Sequence, residues 1–217
     1  INKRYITLAP VSNLIGIAFE LEDPNNLLGK QGVTLALLER GHPGLIQKGY
    51  HNPLDTGFPN GTLEGTLRID LNDVIGGPDQ IGNGWKMLME CLAAGRGICL
   101  PATANASSKV ATYGIYLYAK HRVQFKMPLI QMEAVQNKMA NMGYNTWLIQ
   151  SSIYVTNYLL DEGEKPAVLS AIMKEQTTER GRQVIQDGMD IHAGSSICKG
   201  ENNFLEKFYK KVSLRPF

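Results

Sequence analysis

The spacing of apolar residues changes character at Gly84, and that change constrains the fold more than any single motif. Upstream, the runs "KRYITLA", "LIGIAFEL" and "GVTLALLERG" are short and rich in β-branched residues. Pro24, Gly29, Pro43, Gly44, Pro53, Gly57, Pro59 and Gly61 punctuate this region, as turns punctuate short strands. "TLRIDL" sets Leu67, Ile69 and Leu71 on one face and Arg68 and Asp70 on the other, the two-residue period of a half-buried strand. Downstream, Trp85, Leu88, Met89 and Leu92 recur at helical spacing, and so do Met132, Val135, Met139 and Met142 in a helix expected to reach Leu160. Pro101 marks a stop or kink, and Pro166 suits the first turn of a further helix. The reading is α+β: an antiparallel β-sheet or barrel domain over 1–80, followed by an incomplete helical bundle over 81–217.

Charge and motif content exclude several classes. A formal net charge of +2 argues against a nucleic-acid-binding face. No run of eighteen apolar residues suggests a membrane span, and no charged-then-apolar leader opens the chain. Cys91, Cys99 and Cys198 form no CxxC pair, and their odd number suits a reducing compartment. His42, His51, His121 and His192 lack metal-ligand spacing, so no metal site is expected. No P-loop, GxSxG or GxGxxG segment occurs. "GPDQIGNGW" reads either as a connecting loop or as an anion site at a helix N-terminus. A soluble, intracellular setting is expected from these features.

Individual residues remain open on this evidence. Arg122, in "HRVQFKMPLI" with a turn expected at Lys-Met-Pro, is a solvated elbow or a ligand contact. Arg96 follows Gly95 in an apolar helix, so it lies on a solvated face or needs a buried partner. The methionine stripe is read as core filler, since thioethers adapt to irregular packing.

Five segments in order resemble the acyl-CoA dehydrogenase family: "KRYITLAPVSNLIGIAFEL", "GVTLALLERGHPGL", "IGNGWKMLMECLAAGRG", "RVQFKMPLIQMEAVQNKMANM" and "QDGMDIHAGSSI". The long bacterial enzymes of fatty-acid β-oxidation look most similar. The resemblance implies the middle and part of the C-terminal domain of an FAD-dependent enzyme that converts acyl-CoA to trans-2-enoyl-CoA. It also implies an electron-transfer flavoprotein as oxidant, a homo-oligomer when full length, and a bacterial cytoplasmic setting with any membrane attachment carried by segments outside 1–217.

Carried over residue by residue, Thr7 matches a hydroxyl near the flavin ring and Tyr5 replaces a neighbouring Trp. Arg122 matches the guanidinium that meets the FAD pyrophosphate of a partner subunit, with Phe125 the aromatic residue beside it. Asp190, Ala193 and Gly194 stand for Gln-x-x-Gly-Gly, and Glu133 also replaces a Gln. Arg96 matches a substrate-side Arg. The family's base glutamate has no counterpart: Gly95 precedes Arg96, and "KFYKKVSLRPF" ends before the expected Glu-Gly. The 217-residue chain is therefore expected to be a fragment without turnover, general-base loss alone being worth roughly 10²–10⁴ in rate. Two alternatives are a non-catalytic homologue that binds acyl-CoA or a partner, and an oxidase-like enzyme.

Overall fold

A computed structural model of the chain describes residues 1–164 and 166–213. Residues 214–217, the end of the segment after which the base was sought, lie outside the described residues. The fold is α+β and divides into a sheet unit, Ile1–Glu90, and a helical unit, Cys91–Phe217.

In the sheet unit, β1 (Asn2–Thr7), β5 (Asn60–Glu64) and β4 (Ile46–His51) form one antiparallel sheet in that order. β2 (Leu14–Leu21) and β3 (Gly32–Glu39) form a second, with unbroken register from Leu14 opposite Glu39 to Leu21 opposite Gly32. Alternation decides which faces are buried: Ile15 and Ile17 of β2 and Leu38 of β3 join Leu63 of β5 and Ala9 in one core. "TLRIDL" departs from expectation. Leu67 and Ile69 do pack on this core, but 66–70 is extended chain outside either ladder. Leu71 is 40% exposed and opens a 3₁₀ turn, whose backbone Asn72 N–H donates to Asp70. The cause is Gly65, at φ 134°, where a Cβ would run into the Gly44 carbonyl. The chain leaves the sheet there, and β5 already has a neighbour on each side. Alternation reports a half-buried surface; it does not guarantee a ladder partner.

α1 (Gly84–Ala94) begins at the change of period. Its apolar stripe is not buried as expected, since Trp85 is 62% and Leu92 44% exposed. A π-turn, Gly95–Cys99, leads into α2 (Leu100–His121). Pro101 lies in the first turn of α2, where its missing N–H costs nothing. A hairpin of β6 (Val123–Gln124) and β7 (Met127–Pro128) precedes α3 (Glu133–Asp161). α4 (Ala167–His192) follows, with Pro166 at its N-cap, then α5 (Gly194–Ile197) and α6 (Glu206–Ser213).

The helical core joins Ala111, Ile115 and Ala119 of α2 to Met142 of α3 and to Val184, Ile185 and Ile191 of α4. Val135 and Met139 pack on its edge, so Met139 and Met142 of the methionine stripe fill core as expected, whereas Met132 is half-buried outside this cluster. Fully burying a side chain the size of Ile115 or Met142 is worth about 1.5–3 kcal/mol. Gly188 permits the close approach of three helices, for a Cβ there would stand 3.2 Å from both Ile115 and Met142. No helix among the described residues is long and apolar enough to cross a membrane.

Candidate functional site

The two units each carry part of the expected site. On β1, Tyr5 and Thr7 are both exposed, and the pairing with β5 shifts register between Lys3 and Ile6. Tyr5 has φ 63°, left-handed for a bulky residue, and its side chain is 66% exposed. Such backbone costs on the order of 1–3 kcal/mol and concentrates at functional positions. Its ring meets that of His51 at 5.1 Å, and His51 Nε2 lies 3.0 Å from Thr62 Oγ1. Thr7 is opposite Asn60 on β5, which is opposite His51 on β4. Asn60 is 6% exposed and its Oδ1 has no hydrogen-bond partner among the described residues, an uncommon condition that calls for a reason. The sequence points to Tyr5 and Thr7 but gives no sign of their neighbours His51, Asn60 and Thr62, which strand pairing alone gathers.

In the helical unit, Arg122 caps α2: its N–H donates to the Tyr118 carbonyl and its own carbonyl accepts from Leu129 N–H. The turn is Phe125–Lys126, not Lys-Met-Pro. Val123 pairs with Pro128 and Gln124 with Met127, leaving two loop residues with φ 50° and 65°. A two-residue loop with both φ positive normally carries Asn-Gly. Phe125 holds this conformation with its ring 88% exposed. The exposed Arg122 guanidinium makes no hydrogen bond or ion pair among the described residues.

The end of α4 is the other cluster. Asp190 Oδ2 accepts from Lys138 Nζ at 2.7 Å, and Oδ1 from Gln186 Nε2 at 3.2 Å. The Lys138 hydrogen bond holds the Asp190 carboxyl below its ordinary pKa, and Asp190 in turn raises Lys138. Lys138 also reaches Asp187, whose other contacts are Asn141 at 2.7 Å and Gln183 at 3.1 Å. His192 is 4% exposed between the rings of Tyr118 and Phe204, its Nδ1 without a partner among the described residues, and burial lowers its pKa. Ala193 then takes φ 53°, ψ −133°, a region that suits glycine. Beyond Gly194 a Cβ would meet nothing within 4 Å. Arg96 lies half-buried in the π-turn, its side chain unpartnered among the described residues, so the buried partner considered from sequence is not found. π-turns of this kind occur often at functional sites.

These features fit a flavin dinucleotide in most respects. Arg122 is a planar donor fork, unpaired among the described residues and suited to a pyrophosphate, Phe125 an exposed aromatic face, and Ala193 an exposed residue of glycine-type backbone with Gly194 after it at the start of α5. The exposed carboxylate of Asp190 is the exception. Glu133, at the start of α3, is less so, for the positive end of that helix favours it. A groove of about 320 Å³ lined by Leu148, Ile149, Met173 and Arg180 contains none of the expected residues.

Comparison with known proteins gives the family and the fold. The family model described as "Acyl-CoA dehydrogenase, C-terminal domain" matches residues 82–216. The 3-(aryl)acrylate reductase of Clostridium sporogenes (strain ATCC 15579) is 28% identical over 98% of the chain and 54% of its own length. Among solved structures, butyryl-CoA dehydrogenase from Megasphaera elsdenii aligns with a TM-score of 0.81 at 21% identity, covering 99% of this chain and 54% of that one. The FAD complex of PigA aligns with the same TM-score and identity over 97% and 53%. The chain thus spans about half the length of the curated relatives it matches first.

Proposed function

The chain belongs to the acyl-CoA dehydrogenase family, and from that we propose that it supplies cofactor and acyl-thioester contacts to a flavin-dependent oxidoreductase acting on acyl-CoA. The cofactor is FAD, which when bound supplies the hydride chemistry of this family. The observation that carries the reading is the hairpin: an unpartnered Arg122 beside a Phe125 held exposed in a strained turn.

Each residue then has a task that its own chemistry can perform. Arg122 would donate two parallel N–H bonds to the pyrophosphate, a match that a lysine point charge does not reproduce. Phe125 would cover the nucleotide with an aromatic face. Thr7 would offer its hydroxyl, free of side-chain bonds among the described residues, to the flavin ring beside Tyr5. Ala193 and Gly194 would let backbone approach the cofactor, and Arg96 would face the reacting end of the acyl chain. Gly95 and Gly97 flank Arg96, so proton abstraction from the substrate falls to a carboxylate elsewhere. In the forward direction the product is a trans-2-enoyl-CoA, with an electron-transfer flavoprotein as acceptor and a homo-oligomer as the working form.

A second reading is favoured by the similarity to a reductase: the same contacts would serve reduction of an α,β-unsaturated acyl substrate. The test is anaerobic titration of the FAD-loaded native protein, with saturated acyl-CoA in one arm and enoyl-CoA plus reductant in the other. Bleaching by the saturated thioester, with no peroxide on admitting air, supports the dehydrogenase. Turnover of the unsaturated substrate alone supports the reductase. A native protein that retains no flavin, or Arg122→Lys binding FAD as tightly as the parent, overturns the proposal.

A further inference from the structure

We propose that Lys138 is a positioning residue for the cofactor: it cancels the charge of Asp190 so that the end of α4 can face a dinucleotide with a carboxylate in place of an amide. The inference rests on the reading above, in which this end of α4 adjoins FAD.

Three observations lead to it. First, Asp190 lies in the last turn of α4, which ends at His192. The negative end of a helix dipole disfavours a carboxylate there, and diphosphate nearby would disfavour it further. Second, the carboxylate does not swing free. Lys138 holds one oxygen at 2.7 Å and Gln186 the other at 3.2 Å, although the side chain is 46% exposed. Third, Lys138 is the cationic partner of buried Asp187 but not its only hydrogen-bond donor. That side chain, 6% exposed, already accepts from Asn141 at 2.7 Å and Gln183 at 3.1 Å, both shorter than its 3.3 Å contact with Lys138. The shorter, better-directed bond of Lys138 goes to Asp190.

A further chain of contacts fixes the seam. Arg180 donates to Asn145 at 2.9 Å, and Asn145 donates to Asn141 at 2.9 Å. The face of α3 that carries Lys138 is therefore tied to about three turns of α4. The exposed pair with Asp190 adds little to folding, whereas the pair with buried Asp187 is structural, so the purpose left to the Asp190 contact is electrostatic. Its larger effect is on charge at the end of α4. With Lys138 removed, an uncompensated carboxylate faces the cofactor phosphates.

The experiment measures FAD dissociation constants by flavin fluorescence, and melting temperatures without FAD, for the native protein, Lys138→Gln, Asp190→Gln and the double variant. Lys138→Gln should weaken FAD about tenfold, while Lys138→Gln/Asp190→Gln should bind within about threefold of the parent, the amide removing the repulsion. The apoprotein melting temperature should fall by a similar amount in Lys138→Gln and in the double variant, since both leave buried Asp187 without its cation, so recovery of FAD affinity in the double variant reports Asp190 alone. Unchanged FAD affinity in Lys138→Gln, or no recovery in the double variant, overturns the inference while leaving the family cofactor intact. A parent protein that binds no FAD overturns the reading beneath it as well.

Discussion

The ring of His192 meets that of Tyr118 edge-on, centroids 4.5 Å apart and planes at 81°. With Phe204 on its other side and Nδ1 lacking a partner among the described residues, the imidazole is held neutral by burial. Its folded pKa lies below the ordinary 6.5, so the unfolded chain takes up the proton first as pH falls. The stability contributed by this group is present above about pH 6.5 and is lost as pH falls toward the lower folded value. Urea midpoints should therefore drop between pH 7 and 5 more steeply in the parent than in His192→Leu. Equal slopes would mean that His192 does not titrate differently on folding.

Ala193 occupies a backbone region that glycine enters freely, at φ 53° and ψ −133°. Ala193→Gly should remove about 1 kcal/mol of strain. For a chain of this size that corresponds to a melting temperature higher by about 2–4 °C. A lower melting temperature would show that the methyl group packs usefully and that the strain is small.

Met132 and Met142 share one stripe in the sequence but differ in burial. Met142 is fully buried in the three-helix core, whereas Met132 caps α3 and is half-buried. Met142→Ala should cost about 2–5 kcal/mol by leaving a cavity, and Met132→Ala under about 1 kcal/mol. Denaturant unfolding of the two variants distinguishes these cases; equal costs would place the two side chains in similar surroundings.

Periodicity made much of this legible. "LIGIAFEL" and "GVTLALLERG" became β2 and β3 because eight alternating residues on each strand pair without interruption. α3 and α4 followed from apolar spacing and Pro166. "TLRIDL" misled because its alternation lies on a partly buried segment beyond the Gly65 break, while the short central strand β5 carries too little pattern to be noticed. The polar groups were harder still. Lys138 and Asp190 are 52 residues apart, and Asn60 joins Thr7 to His51 only through register. Neither the spacing nor the composition of one chain encodes such meetings; they arise when elements dock.

Phe125 separates a folding role from a binding role by the sign of one substitution. Its backbone at φ 50° in a two-residue loop is a left-handed conformation that glycine enters without strain, and its ring, 88% exposed, contributes little burial to the fold. Phe125→Gly should therefore stabilise the protein, by an amount on the order of 1 kcal/mol set by relief of the left-handed conformation. If the ring covers a nucleotide, the same variant should lose FAD affinity by about three- to tenfold, the contribution of one aromatic contact. Thermal unfolding of the apoprotein and flavin titration of the same samples give the two signs. A gain in stability with unchanged FAD affinity would leave the exposed ring without a cofactor to cover. A loss of both would show that Phe125 holds the hairpin together and touches the cofactor only through it.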